Sequence, residues 1–329
     1  MSIKVAVTGA SGHIGNVVCR NLLERGFQIK ALYNSDKRSL EGLALECIQG
    51  NVLNLENLHS LVEHCEVVIN CAAIISIDGD PDGMVFKTNT QGPANILKAS
   101  LDKGVKKIIH LSSVHAVTEL PHSVPYDESR PYKNALHSAY DYSKAQGEQI
   151  LLNGSKGLPI EVVILRPSCV IGPHDYKPSK MGSALIDFYH EKIPFLPPGG
   201  YDLVDVRDVA EAVVASIEKG RNGEVYLLSG KYYDFKQLAK IIYEVTGKET
   251  PRRVIPYWLL KGMVPLVSFQ SKLSGSSKSI THESIEAVKN GHPAMNHSKA
   301  KKELGYQNRQ LTNSLHDYYN WQKNQQRIM

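Results

Sequence analysis

No stretch of this chain stays apolar for long enough to cross a bilayer. The longest candidate, Tyr257 to Phe269, is interrupted by Lys261, Gly262 and Pro265, whereas a spanning helix needs about 20 predominantly apolar residues. Cysteine is scarce and badly spaced for a metal. Cys19, Cys47, Cys65, Cys71 and Cys169 are odd in number and lie far apart, so reduced, mostly buried thiols are expected and no metal centre is. The chain also lacks a strong charge of one sign. Its formal net charge of +5 is spread along the sequence, and the densest runs, Lys106-Lys107 and Lys299 to Lys302, fall in segments that read as a strand edge and a helix. Solvated faces explain them better than a nucleic-acid footprint. Internal repeats and low-complexity segments are absent as well. Because the first strand starts at Ile3, no room is left for a signal peptide ahead of it, and the cytoplasm is the expected compartment.

What the chain does have is alternation. Apolar runs bounded by turn residues read as strands at Ile3 to Val7, Gln28 to Tyr33, Glu46 to Gln49, Val67 to Asn70, Lys107 to Leu111 and Ile160 to Leu165. Helical patterns fall between them at Ile14 to Arg25, Leu55 to Glu63, Met84 to Lys103 and Ser138 to Asn153. Strand and helix in turn imply right-handed crossovers and a doubly wound parallel sheet, an α/β fold. After Arg166 the chain loosens into Pro- and Gly-rich segments, Ile171 to Ser179 and Ile193 to Gly200, which suit a loop-built pocket. It then returns to the sheet with a strand at Asp202 to Asp205, a helix at Val206 to Lys219 and a strand at Glu224 to Leu228. From Asp234 to Gln326 the pattern is mainly helical, with a Pro-interrupted helix from Pro256 to Leu273. A chain of 329 residues exceeds the roughly 250–300 at which one core stops growing, so a second lobe is expected.

Two features carry chemistry. Gly9-Ala10-Ser11-Gly12-His13-Ile14-Gly15 joins the first strand to the first helix. A helix N-terminus offers unpaired N–H groups and a positive dipole end, and glycines let a pyrophosphate approach the backbone, so this turn predicts a dinucleotide site. Further on, the strand Lys107 to Leu111 ends in Ser112-Ser113, and Tyr140 and Lys144 follow within a helical pattern. Four residues apart, they share one helix face. Tyr-x-x-x-Lys recurs elsewhere, at Tyr33/Lys37, Tyr176/Lys180, Tyr232/Lys236, Tyr257/Lys261 and Tyr319/Lys323. Only Tyr140/Lys144 follows the serine-ended strand and can lie beside the same sheet edge as the glycine turn.

In this order, the glycine turn, Ser113 and Tyr140-x-x-x-Lys144 resemble the extended short-chain dehydrogenase/reductase superfamily, the NAD-dependent epimerase/dehydratase group. Cys71-Ala72-Ala73, Asn89, Arg166-Pro167 with Gly172-Pro173, and the segment Val204 to Ala210 resemble further landmarks of it. The resemblance implies a Rossmann domain over residues 1–165 with a return segment at 202–229. It also implies a smaller, mainly helical substrate lobe at 166–201 and 230–329. Its implied chemistry is hydride exchange between a nicotinamide and a carbonyl or secondary alcohol, with Tyr140 as acid or base, Ser113 donating to the substrate oxygen, and Lys144 lowering the pKa of Tyr140 while holding a ribose. Ser112 competes with Ser113, and the family's pattern favours Ser113. Cofactor contacts are expected from Gly9, Ser11, Gly12, His13, Ile14, Gly15, Asn51, Val52, Cys71, Ala72, Ala73, Asn89, Tyr140, Lys144, Pro167 and Val170. At the tip of the second strand, Tyr33-Asn34-Ser35-Asp36-Lys37-Arg38 puts no carboxylate at Tyr33 or Asn34 and leaves Lys37 and Arg38 for a 2′-phosphate, so NADP(H) is favoured over NAD(H). Asp36 within reach of a ribose is the counter-reading.

The substrate is expected to be a small, largely apolar carbonyl compound or alcohol, because Arg166 to Pro173 resembles the dihydroflavonol reductase and hydroxysteroid dehydrogenase branch. Its pocket is expected from Ile74, Ile75, His115, Tyr142, Met181, Phe188 and Trp258, under a lid spanning Gly172 to Gly200. Sugar-nucleotide epimerases and dehydratases share the scaffold and remain the alternative, although Cys169 stands where they usually carry an asparagine. A cofactor-sensing regulator without turnover is the third reading. Neither nucleic acid nor membrane is expected as a partner, and family members often dimerise through the helices Met84 to Lys103 and Ser138 to Asn153.

Overall fold

Alternation of side chains along short apolar strands builds the centre of the molecule. The computed structural model describes residues 3–76, 79–262 and 288–328. In chain order the strands are β1 (Lys4–Thr8), β2 (Gln28–Tyr33), β3 (Glu46–Gln49), β4 (Val67–Asn70), β5 (Lys107–Leu111), β6 (Glu161–Pro167), β7 (Cys169–Ile171), β8 (Gly200–Asp205), β9 (Val225–Leu228) and β10 (Lys231–Asp234). Helices α1 (His13–Glu24), α2 (Leu55–Val62), α3 (Met84–Asp102), α4 (Ala139–Gly154), α5 (Lys180–Tyr189), α6 (Val206–Lys219) and α7 (Phe235–Thr246) are joined near the C-terminus by α8 (Ser298–Leu304) and α9 (Leu311–Asn324).

Seven strands form one sheet in the order β3-β2-β1-β4-β5-β6-β9, and every ladder in it is parallel. Successive residues of β1 point to opposite faces. Val5 and Val7 pack with Val17, Val18 and Leu22 of α1 and Val209 and Val213 of α6. Ala6 instead joins Leu58 and Leu61 of α2, Ile96 of α3 and Leu151 of α4. Both faces of the sheet are therefore covered, as near-continuous apolar strands require. The strand order reverses between β1 and β4, so the carboxyl ends of these two strands border a switch-point crevice.

A three-stranded sheet, β10-β8-β7, starts the smaller lobe. This corrects the expectation that Asp202 to Asp205 rejoins the large sheet. The free edge of β6 is occupied by β9, with Ile164 opposite Val225 and Pro167 opposite Leu228, so β8 pairs in parallel with β7 and antiparallel with β10. Nor is Gly172 to Gly200 all loop. Ser179 caps α5 by accepting from the Gly182 N–H, and Leu185, Phe188 and Tyr189 pack with Leu196, Leu203, Leu238, Ile242 and Leu315 in a second core. The predicted helix from Pro256 to Leu273 is helical at residues 257–262; its remainder lies outside the described residues. Among the described residues no helix is long and apolar enough to cross a membrane.

Candidate active site

The glycine turn sits in the switch-point crevice. Gly9 has a φ of +62°, and a Cβ there would lie 2.7 Å from the Ala72 nitrogen and the Cys71 carbonyl carbon. The turn thus rests directly on the end of β4, and only a residue without a side chain allows it. The first α-helical bond of α1 runs from the Asn16 N–H to the Gly12 carbonyl at 3.0 Å, so the N–H groups ahead of it face outward from the helix end. No side chain caps this end, and the first turn holds no acid. An uncapped, acid-free helix N-terminus over a backbone stripped of Cβ atoms fits a pyrophosphate. Behind it, Thr8 Oγ1 donates to Asn70 Oδ1 at 2.6 Å, and Asn70 Nδ2 meets Nδ1 of the buried His110 at 2.8 Å. Asn70 Oδ1 also accepts the Ala72 N–H at 3.2 Å, which fixes the 71–73 segment.

At the end of β5 the structure brings Ser113, Tyr140 and Lys144 together. Lys144 Nζ donates to the Leu111 carbonyl at 2.8 Å, and its charge acts on the neighbouring Cys71 thiol. Tyr140 and Ser113 are both buried, with the Ser113 hydroxyl bonded to the phenol and favouring its anion. Ser112 faces elsewhere, its hydroxyl buried without a partner among the described residues. The phenol does not behave as expected from sequence. Burial pushes Tyr140 up to about 12, against the pull of Ser113, and Lys144 is not among the groups that move it. Its ammonium is committed to Leu111 and is itself pushed down to about 8 by burial, with Glu148 and Cys71 opposing.

Neighbouring elements hold this set. Asn89 of α3 accepts the Ile74 N–H and donates to the Ile74 carbonyl, each at 2.9 Å, and donates to Ser143 at 3.0 Å. Asn89, expected to touch a cofactor, thus clamps the β4–α3 loop to α4. Glu148, one turn beyond Lys144, receives Arg166 of β6 in two short bonds, at 2.9 Å and 2.7 Å, with both side chains buried. Asp141, beside Tyr140, takes Lys133 at 2.6 Å and His115 at 3.3 Å. Burial raises the Asp141 carboxyl, but His115 and Lys133 outweigh it and hold it well below the usual range. Glu148, Asp141 and Lys133 carry no motif of their own, and sequence reasoning did not single them out.

The remaining expected residues divide. His13 meets the Pro173 carbonyl at 3.1 Å, Ile14 packs on the core, and the Ser11 carbonyl accepts from Ser39. Asn34 is exposed at the tip of β2, where its carbonyl accepts from Gln49. Lys37 is exposed, but Arg38 is bound in a double hydrogen bond to Asp36, at 3.0 Å and 2.6 Å, and is not a free cation. Asn51 uses its side-chain oxygen on the Leu53 N–H, and Val52 is buried. Pro167 closes β6 and Val170 lies in β7. Among the pocket candidates, Ile74 and Ile75 are exposed, Tyr142 packs at a tilt against Phe86 with ring centroids 5.3 Å apart, and Met181 leans on the second core. Phe188 is corrected: its ring is only 4% exposed and is spent on packing that core. Trp258, 74% exposed, is part of no enclosed wall.

A glycine turn on a helix N-terminus at the switch point of a parallel sheet is the architecture of a dinucleotide-binding enzyme. The chain belongs to the NAD dependent epimerase/dehydratase family, whose model matches residues 5–229, within the extended short-chain dehydrogenase/reductase superfamily. It is 32% identical over 264 residues to sterol demethylase protein B of Methylococcus capsulatus, covering 79% of this chain and 80% of that one. A ketoreductase of Stigmatella aurantiaca, named for 4-hydroxy-2-methyl-3-oxo-4-farnesyl-3,4-dihydroquinoline-1-oxide, is 26% identical over 314 residues, 93% of this chain and 92% of that one. The crystal structure of gox2253 superimposes with a TM-score of 0.86 at 28% identity, each chain covered in full.

Proposed function

We propose that this protein is an NADP(H)-dependent reductase of lipophilic ketones, with Ser113, Tyr140 and Lys144 as its catalytic set. The observation that carries it is their convergence at the carboxyl end of β5, one strand over from the crevice that holds the glycine turn. When bound, the reduced nicotinamide supplies a hydride to the carbonyl carbon. Tyr140 supplies the proton: a phenol held near 12 stays protonated at neutral pH, which suits an acid delivering to a developing alkoxide. Ser113 Oγ accepts the His115 N–H at 3.1 Å, and its own hydrogen, bonded to the phenol in this structure, turns to donate to the same oxygen. Lys144 keeps N–H donors beyond its bond to Leu111, and these would hold the nicotinamide ribose. Support for a lipophilic substrate comes from Ile74 and Ile75, exposed in the segment that follows β4, and from relatives named for a sterol and a farnesylated quinoline.

The preference for NADP(H) rests on charge. Arg38 and Lys177 act on one carboxylate, Asp36, and hold it down at about 2, and Lys37 next to it in sequence is exposed. An exposed ion pair contributes little to stability, so Arg38 can leave Asp36 for a phosphate. Replacing Lys37 and Arg38 together by alanine should weaken NADPH far more than NADH in a calorimetric titration; an equal loss for both would refute the assignment. The function itself is tested by following nicotinamide absorbance across a panel of apolar ketones. Wild type should turn over, and Tyr140→Phe should lose at least about 100-fold in kcat with NADPH affinity kept within a few-fold. Tight NADPH binding without turnover across the panel would point to a sensor instead.

A further inference from the structure

The segment that leaves β7 runs alongside α1, where Pro173, His174 and Tyr176 meet His13, Asn16 and Arg20 in turn. It is anchored at each step. Asp175 Oδ2 accepts the Ser179 N–H at 2.8 Å and the Ser179 hydroxyl at 2.9 Å. Arg327, just beyond α9, donates to the Asp175 carbonyl at 3.0 Å and to the Tyr176 carbonyl. The Tyr176 ring packs edge-on against Trp321 of α9, with centroids 5.2 Å apart, and its hydroxyl accepts from Arg20 at 3.4 Å. The same Arg20 nitrogen reaches the Ser39 carbonyl at 3.1 Å, and Ser39 Oγ donates to the Ser11 carbonyl in the glycine turn at 3.0 Å. Tyr176 is therefore tied, through one guanidinium, to the residue that follows Arg38. The next residue along, Lys177, is exposed, its backbone is restricted by Pro178, and its charge is felt at Asp36. Among the described residues no ion pair or hydrogen bond claims its ammonium.

We infer that Lys177 is a cofactor-specificity residue, a cation that the smaller lobe contributes to the 2′-phosphate of NADP(H). This rests on the reading of the β2 tip as a 2′-phosphate site, and adds to it a contact from the other lobe. A phosphate that draws Arg38 away brings a second anion beside Asp36, and two like charges side by side are costly unless further cations attend them. Lys177 is such a cation. A lysine carries a compact charge with three donors on a flexible stem, which suits a phosphate. Lys37 and Arg38 belong to the segment after β2, whereas Lys177 belongs to the segment after β7, so only a nucleotide bearing the 2′-phosphate is gripped by both lobes at this end. NAD(H) presents a hydroxyl there and offers Lys177 no charge to bind.

The test is calorimetric binding of NADP+ and NAD+, which differ only in the 2′-phosphate, to the full chain without substrate, so that no turnover enters the measurement. Lys177→Ala should weaken NADP+ by about tenfold, the size of one charge-assisted hydrogen bond, and leave NAD+ unchanged. Lys177→Arg, which keeps the charge, should recover most of the loss, and melting curves should show both variants folded, since the side chain is exposed. An equal loss for the two nucleotides, or no loss for NADP+, would overturn the inference. If the Lys37→Ala, Arg38→Ala protein loses its preference for NADP+ while Lys177→Ala keeps it, the β2 tip alone reads the phosphate: the cofactor assignment stands and the role of Lys177 falls. A preference lost in Lys177→Ala but kept in the double variant would do the reverse. Wild type binding NAD+ as tightly as NADP+ would remove both.

Discussion

At the scale of single residues, burial sets the chemistry more than neighbouring charge does. The sequence predicts that Lys144 lowers the pKa of Tyr140, yet each group is moved first by loss of water, the phenol upward and the ammonium downward. The consequence has a sign. Tyr140 keeps its proton throughout the working range, so the group that titrates first as pH rises is Lys144, which gives up its charge near pH 8. Reductive kcat/KM should therefore hold from about pH 6 to 8 and decline above it, as initial rates across pH 6–10 would record. A profile flat to pH 10 would mean that the charge on Lys144 is not needed.

At the scale of elements, the position of α4 decides whether the site exists. Gly147 has no room for a side chain, because a Cβ there would fall 2.6 Å from the Asn89 carbonyl oxygen. That contact brings α4 close enough to α3 for Ser143 to meet Asn89. Gly147→Ala should cost about 1–3 kcal/mol in a denaturant melt, and should lower kcat more than NADPH affinity, since α4 carries Tyr140 but not the glycine turn. These elements were largely legible in the sequence. The sequence predicts β2 to β5 to the residue, and α6 likewise: β4 and β5 are fully buried apolar runs bounded by turns, β2 is buried but for its ends, and β3 is a short, largely exposed edge strand marked by its flanking turns. The small sheet is not legible: β7 is only three residues long and β10 four, and no local sign in β8 tells that β9 takes the edge of β6. The glycine turn, Ser113, Tyr140 and Lys144 announce themselves by motif and order. The His115, Asp141 and Lys133 cluster does not, since it is assembled from three separate segments.

At the scale of the whole molecule, the two lobes are stitched together by charge. Asp205, at the junction of β8 and α6, has a fully buried side chain bound by Arg207 at 2.7 Å, and Arg207 reaches on to Asp317 of α9 at 2.6 Å. Arg309 binds Asp208 of α6 at 2.7 Å. A second seam lies at the glycine turn. The segment leaving β7 touches α1 twice there, through His13 on the Pro173 carbonyl and Asn16 on the His174 carbonyl, both at 3.1 Å. One end of the smaller lobe is thus moored to the rim where a dinucleotide's phosphates would lie. Catalysis should accordingly follow a compulsory sequence, nucleotide entering before ketone and leaving after alcohol. Product-inhibition patterns would reveal it, with NADP+ competitive against NADPH and the alcohol noncompetitive, while random entry would show that the mooring has no kinetic weight.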